Sequence, residues 1–375
     1  MMGWLMSHRP GVSGRSVFAF YREGADTVGA MIDWKLAQST ANRFIKPGPE
    51  LEAAEVAEVV DELRAAARRA VAPVESYTGL VADAASPVLV VDRPRWVEAN
   101  LSTFSRIMEP VVTSLTAERE PSPAARAVSA KASGVELGAL MAFLSSKVLG
   151  QFDPFHVDGG IGGRLLLVAP NIVHVERELG ADPSDFRQWV CLHEETHRAQ
   201  FTGVPWMREH LQGLLDDFVD ATDTSEGAVS ALVTEVLPEL MRIIRGESDK
   251  SLSDLFQNER QGRIVDQMTG LMSLLEGHAD VVMDAAGPDL IGSVASIRRK
   301  FDKRRSQGTG LAKILRRLLG LEAKMRQYRD GAVFVREVSE RVGVDGFAAV
   351  WSEPAHLPTR AEIDDPARWI ARVHG

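Results

Sequence analysis

Apolar residues recur at helical spacing along most of the chain. Segments 49–70, 93–116 and 134–150 combine strong helix-forming residues with apolar positions, and the last is apolar enough to lie in a core. The first segment begins with acidic residues and ends with arginines, as the helix dipole favours. The pattern therefore predicts a mainly α-helical protein from about residue 26 onward.

Residues 151–176 interrupt this pattern, because a glycine-rich stretch is followed by two short apolar runs. We predict a strand at Arg164–Val168, a turn at Pro170 and Asn171, and an extended segment at Ile172–Val175. The glycines lack the spacing of a dinucleotide-binding loop. The hairpin could provide an edge strand to which a peptide substrate adds by backbone hydrogen bonds, or it could simply cover the core.

Helical patterns return after this hairpin and continue to the C-terminal region. We expect helices at Val204–Phe218 and Gly227–Gly246, a charged connection at 247–268, and amphipathic helices within Leu311–Val342. These elements predict a single zincin-like unit between a loosely structured N-terminus and a surface tail. The predicted ranges are 1–25 for the N-terminus, 26–352 for the unit (a helical part at 26–150, a metal-site core at 151–295 and a helical part at 296–352) and 353–375 for the tail.

Composition and charge narrow the possible partners. The chain has 375 residues, of which 45% are hydrophobic and 25% charged, as in ordinary globular proteins. Its formal net charge of −9 argues against nucleic acid or an anionic membrane as the main partner. A single cysteine, Cys191, excludes an internal disulfide and fits a reducing compartment. We find no signal peptide and no apolar stretch of membrane-spanning length, so we expect a cytoplasmic protein, with its oligomeric state left open.

One predicted helix contains a chemically specific motif, His193-Glu194-Glu195-Thr196-His197. Asp182 and Pro183 suit its start, and Gly203 with Pro205 suits its end. Side chains four residues apart on a helix lie on one face, with Cβ atoms about 5–6 Å apart.

Two imidazoles so placed can bind one Zn²⁺ ion at roughly 2.0–2.1 Å each. Glu194 then lies beside the metal, where it can act as general base towards a water that the metal activates. The alternative is an ordinary helix with two histidines and no metal. Cys191 is expected to face away from the two rings and to pack in the core.

Two histidines leave a zinc site one protein ligand short. A second helical segment, 271–284, contains Glu276 and Asp280, which are again four residues apart. We predict that Glu276 completes the ligand set and that Asp280 accepts the N–H of a ligand imidazole. Two alternatives stay open: the acidic residues form a solvated stripe, or His278 is the third ligand.

These motifs also resemble known metallopeptidases. HEXXH on one helix with a downstream EXXXD helix is the gluzincin arrangement of thermolysin-like enzymes. More specifically, HEETHRAQF, LLEGHADVVMD and KMRQYRDGAVFV are similar to an actinobacterial family described as zinc-dependent metalloproteases. Some members are labelled as associated with biosynthesis of a deazaflavin coenzyme, a label that no residue here supports chemically. The resemblance implies a mainly helical zincin fold with a short β-hairpin or small sheet beside the active-site helix.

Hydrolysis also requires a donor for the oxyanion of the tetrahedral intermediate. Tyr328, within the family-like KMRQY segment, is the candidate, with Arg326 and His278 as substitutes. A tyrosine that only stabilises the fold is the alternative.

The sequence thus predicts a zinc-dependent metallopeptidase with His193, His197 and Glu276 as ligands, Glu194 as base and a peptide or protein as substrate. Two other functions use the same residues: a zincin-folded binding or regulatory protein with a non-catalytic zinc site, and a hydrolase of small amides in cofactor metabolism.

Overall fold

A computed structural model describes residues 32–116, 123–158, 161–221, 239, 242, 247, 259–306 and 331–375. The predicted N-terminal segment 1–25 lies outside these ranges, as does nearly all of the predicted helix Gly227–Gly246.

The described residues form a mainly helical protein with one small sheet, as the sequence predicted. The helices are α1 (Trp34–Phe44), α2 (Ala53–Thr78), α3 (Arg93–Thr116), α4 (Pro123–Ser145), α5 (Ala169–Leu179), α6 (Pro183–Gly203), α7 (Met207–Asp220), α8 (Glu259–Leu290), α9 (Val294–Ser306), α10 (Gly331–Phe347), α11 (Arg360–Asp364) and α12 (Pro366–His374). The strands are β1 (Val88–Val91), β2 (Gly150–Asp158) and β3 (Ile161–Val168), and short 3-10 turns lie at Ala348–Trp351 and Pro354–His356.

The sheet corrects the predicted hairpin. Its strand order is β1-β3-β2, with β1 parallel and β2 antiparallel to β3. The predicted strand Arg164–Val168 lies in β3, which is central rather than at the edge. The predicted extended segment Ile172–Val175 is wrong, because it belongs to helix α5. Pro170 occupies the first turn of that helix, where its fixed φ is favourable.

Two hydrophobic cores lie on opposite faces of β3. Successive strand residues point to opposite faces of a sheet. Leu167 joins the larger core, formed mainly by α2, α6, α8 and α10. Leu166 and Val168 join a smaller core with α1, α3 and α4. Helix α6 therefore lies in the larger core, with the sheet beside it.

Three further expectations are corrected in the C-terminal half and in α4. Residues 259–268 belong to α8, so the charged connection does not extend to residue 268. The segment 353–375 is not a surface tail throughout, because Trp369 in α12 is fully buried in the larger core. Helix α4 contains one stretch, Ala127–Ser145, that is long and apolar enough to cross a membrane by length and composition alone.

Packing accounts for part of the apolar composition of α4. Its residues Leu137, Leu140 and Met141 are buried in the smaller core. Gly138 lies so close to α1 that a Cβ atom would overlap the carbonyl oxygen of Ala37. The same composition thus fits a helix packed tightly against a neighbour.

Candidate metal centre

Helix α6 starts where its sequence predicts. Asp182 is the N-cap residue, and its carboxylate accepts a hydrogen bond of 3.0 Å from the backbone N–H of Asp185. Pro183 follows in the first turn, and the helix ends at Gly203. The apolar residues Phe186, Trp189 and others pack into the larger core, which fixes the rotation of the helix.

Three predicted ligands converge between α6 and α8. Nε2 of His193 lies 3.1 Å from Nε2 of His197. The carboxylate oxygens of Glu276 lie 3.7 Å from each of these nitrogens. Ligand atoms of all three side chains fall within 4.8 Å of one another. The rings are 24% and 13% exposed and Glu276 is 40% exposed, so the group is open to solvent on one side.

These separations match a tetrahedral zinc site. Ligand atoms about 2.0–2.1 Å from a tetrahedral Zn²⁺ ion lie about 3.3 Å from each other. The observed 3.1 and 3.7 Å lie on either side of that value. Two imidazoles and one carboxylate, with a solvent-open side for a fourth ligand, are also the donor set of many catalytic zinc sites. The residues therefore fit zinc in both geometry and chemistry.

The second ring nitrogens of the two histidines have different neighbours. Nδ1 of His197 lies 2.9 Å from Oε1 of Gln200. Nδ1 of His193 lies 3.2 Å from the thioether sulfur of Met283 on α8. A carboxamide oxygen is a much stronger acceptor than a thioether. Gln200 therefore offers His197 a strong hydrogen-bond acceptor.

Glu194 is buried beside the ligands and points towards the start of β2. It is 6% exposed, and among the described residues its carboxylate has no hydrogen-bond partner. Burial, and then the negative charge of Glu276, raises the pKa of Glu194 well above its ordinary value. Gly150 makes room for it, because a Cβ atom there would overlap the carboxylate. Within the part of the chain that the structure describes, a carboxyl group without a hydrogen-bond partner thus lies next to the three predicted ligands.

Asp280 and His278 both lie on α8, and each has a polar neighbour. Asp280 is paired with Arg298 of α9 at 3.1 Å, while Gln200 accepts from His197, so the role predicted for Asp280 stays a prediction. His278 is 3% exposed and lies behind His197, with its Nδ1 3.0 Å from Nε2 of Gln200. It is therefore placed to support Gln200. Tyr328 and Arg326 lie outside the described residues.

A glycine pair brings α8 and α10 unusually close beside Glu276. A Cβ atom on Gly277 would overlap the backbone of Gly331 and Ala332, and one on Gly331 would overlap the carbonyl oxygen of Ser273. Only glycine allows two helix backbones to approach so closely. The absence of a side chain at Gly277 therefore admits α10 to this position beside Glu276.

The chain is similar to one protein family and to one solved structure. A family model described as zincin-like metallopeptidase matches residues 32–370. A crystal structure from Chloroflexus aurantiacus, described as "a putative hydrolase with a novel fold", is 28% identical to the chain with a TM-score of 0.66. That match covers 92% of this chain and 99% of the other. No protein of curated function matches the chain.

Proposed function

The chain belongs to the zincin-like metallopeptidase family, and we propose that it is a cytoplasmic zinc-dependent peptidase in which His193, His197 and Glu276 bind the metal and Glu194 is the general base. The observation that supports this most strongly is the convergence of two histidines on α6 with a glutamate 79 positions further along, on α8. When bound, Zn²⁺ would polarise the substrate carbonyl and lower the pKa of a coordinated water towards neutrality.

Glu194 is suited to proton transfer by its position and its lack of partners. In peptide hydrolysis the base removes a proton from the attacking water and delivers it to the amine as the C–N bond breaks. A carboxylate already engaged in an ion pair would do this poorly. Glu194 has no such pair among the described residues.

Strand β2 is the candidate docking edge for a peptide substrate. It lies at the edge of the sheet, and its first residue, Gly150, adjoins Glu194. Phe152 of the same strand stacks on Phe201 of α6 with ring centroids 5.7 Å apart, so the strand runs beside the active-site helix. An extended peptide could add to this edge through main-chain hydrogen bonds. The predicted hairpin first considered for this role does not form, because Ile172–Val175 belongs to α5.

Tyr328 remains the proposed donor to the oxyanion. Gly331, three residues later in the chain, packs against Gly277, which is next to Glu276.

The substitution Glu194→Gln tests the proposal. It removes the base but preserves side-chain shape, so zinc content should be unchanged while hydrolysis of a peptide library falls by about 10²–10⁴-fold or more. Cleavage is measured by mass spectrometry, with small amides tested in parallel. Undiminished cleavage by this variant would refute the role of Glu194. A wild-type protein that holds zinc but cleaves neither substrate class would favour a binding or regulatory protein.

A further inference from the structure

Gln200 is a fully buried polar side chain whose partners are all close to the metal ligands. It lies one helical turn after His197 on α6 and has 0% exposure. Its Oε1 is 2.9 Å from Nδ1 of His197. Its Nε2 is 3.1 Å from the backbone carbonyl oxygen of Leu275 and 3.0 Å from Nδ1 of His278, both on α8. Burying an amide costs free energy unless its oxygen and its N–H groups form hydrogen bonds.

These partners define the orientation of the amide. A backbone carbonyl oxygen only accepts hydrogen bonds, so the group of Gln200 that faces Leu275 must be the amino group. Oε1 therefore faces His197, where it can only accept. It follows that Nδ1 of His197 carries the proton, and that the lone pair of this ring lies on Nε2, which faces His193 and Glu276.

His278 reinforces this arrangement from behind. Its ring centroid lies 5.6 Å from that of Phe347 and 5.1 Å from that of Trp351. The aromatic rings and the α8 backbone hold the imidazole where its Nδ1 can accept the second proton of the Gln200 amide. Gln200 is thus held by two contacts on α8, the same helix that contributes Glu276.

We propose that Gln200 is a positioning residue that holds His197 as its Nδ1–H tautomer and thereby increases the affinity of the site for zinc. The inference rests on the proposed zinc site but not on peptide hydrolysis. A neutral histidine can carry its proton on either nitrogen, and the hydrogen bond made by one nitrogen decides which is free to bind a metal. With Gln200 in place, the metal-binding nitrogen of His197 is selected before the metal arrives.

The test compares Gln200→Met with Gln200→Glu. Methionine removes both the acceptor and the donors, so zinc affinity, measured by competition with a chelator, should fall about 10–100-fold. Glutamate loses donors but keeps an oxygen for His197, so its zinc affinity should fall less. Nitrogen-15 NMR of histidine-labelled, metal-free protein should show the Nδ1–H tautomer of His197 in wild type and Gln200→Glu, and a mixture of tautomers in Gln200→Met.

Two control variants distinguish a failure of the proposed role of Gln200 from a failure of the proposed metal site. Thr196→Val removes a different buried hydrogen bond of α6, from Oγ1 to the carbonyl oxygen of Leu192, without touching either ring. It should leave zinc affinity and the His197 tautomer unchanged. His193→Ala removes a proposed ligand and should lose zinc binding.

Equal zinc affinities for Gln200→Met and wild type, with binding lost in His193→Ala, would overturn the role of Gln200 alone. So would a loss in Gln200→Glu as large as that in Gln200→Met, since a purely structural role predicts it. Zinc binding that survives in His193→Ala would overturn the metal site itself, and the inference about Gln200 with it.

Discussion

Helix α6 buries two adjacent glutamates, Glu194 and Glu195, on different faces, and the two differ in how completely they are paired. On the face towards α2 and the segment before β1, Glu195 and Arg198 form two hydrogen bonds of 2.7 and 2.8 Å. Arg198 also donates to the carbonyl oxygens of Asp83 and Ser86. On the face towards α8 and β2, Glu194 has no hydrogen-bond partner among the described residues.

The comparison of these adjacent glutamates separates a structural role from a chemical one. Both are buried, at 6% exposure for Glu194 and 1% for Glu195. Burial raises the pKa of each, but only for Glu195 do hydrogen bonds and the charge of Arg198 oppose the rise. A buried carboxylate that is fully paired stabilises the packing of α6, whereas an unpaired one is available to a substrate. Cys191 lies on the face of Glu195, towards α2. It is buried beside the carbonyl oxygen of Leu63, so it points away from the predicted metal ligands, as expected.

The largest expected effect is a loss of stability when the paired glutamate, Glu195, is replaced. Glu195→Gln leaves Arg198 buried without a full partner, so the free energy of unfolding in urea should fall by about 3–5 kcal/mol. Zinc affinity and the rate per folded molecule should stay unchanged, because neither residue faces the ligands.

The matched control is Glu98→Gln. Glu98 forms the same kind of pair with Arg95, three residues away, but on the surface at 54% and 65% exposure. Its loss should cost less than about 1 kcal/mol. Similar costs for the two substitutions would show that the paired face of α6 does not have the structural role assigned to it.

The next effect concerns the unpaired face. Gly150→Ala places a Cβ atom in the space of the Glu194 carboxylate, so that side chain must move. Misplacement of a reacting group by about 1 Å can reduce a rate by about 100-fold. We expect a loss of that order in peptide hydrolysis, with zinc content retained. Gly213→Ala, where nothing lies within 4 Å of the added atom, is the control and should leave the rate unaltered.

The smallest effect is expected for Asp280→Asn. Asp280 is 20% exposed and paired with Arg298 at 3.1 Å, so the substitution should change the free energy of unfolding by no more than about 1 kcal/mol. Zinc affinity should change less than in Gln200→Met. A larger loss of zinc affinity than in that variant would restore Asp280 to the role first predicted for it.

Local sequence features predicted α6 and α3 closely. The signals that define α6, namely the N-cap Asp182, the proline that follows it and the regularly spaced apolar residues, all lie close together in the sequence. The predicted segment 93–116 coincides with α3 for the same reason. By contrast, β1 has only four residues and β2 contains Pro154, so neither has a clear alternating pattern. Their pairing with β3 is a tertiary interaction that short-range patterns do not encode.

The candidate site was likewise predicted only in part from the sequence. His193, Glu194 and His197 were identified from their spacing alone, and Glu276 from a second helix with a matching acidic pattern. Gln200 and Gly150 were not predicted as parts of the site, because each acts through a residue brought near by folding: His278 for Gln200 and Glu194 for Gly150. Residue type and spacing reveal candidate ligands, whereas the residues that would hold those ligands in place become evident only from the packing of α6 against α8 and β2.

The account depends most directly on Glu276, the proposed ligand from the second helix. Zinc binding to metal-free wild-type protein and to Glu276→Ala, measured by isothermal titration calorimetry, tests it. We predict one zinc per chain for the wild type and binding weaker by at least about tenfold for the variant, since outright loss of a ligand should cost no less than loss of a supporting residue. Equal stoichiometry and affinity in the two proteins would contradict the proposed metal centre.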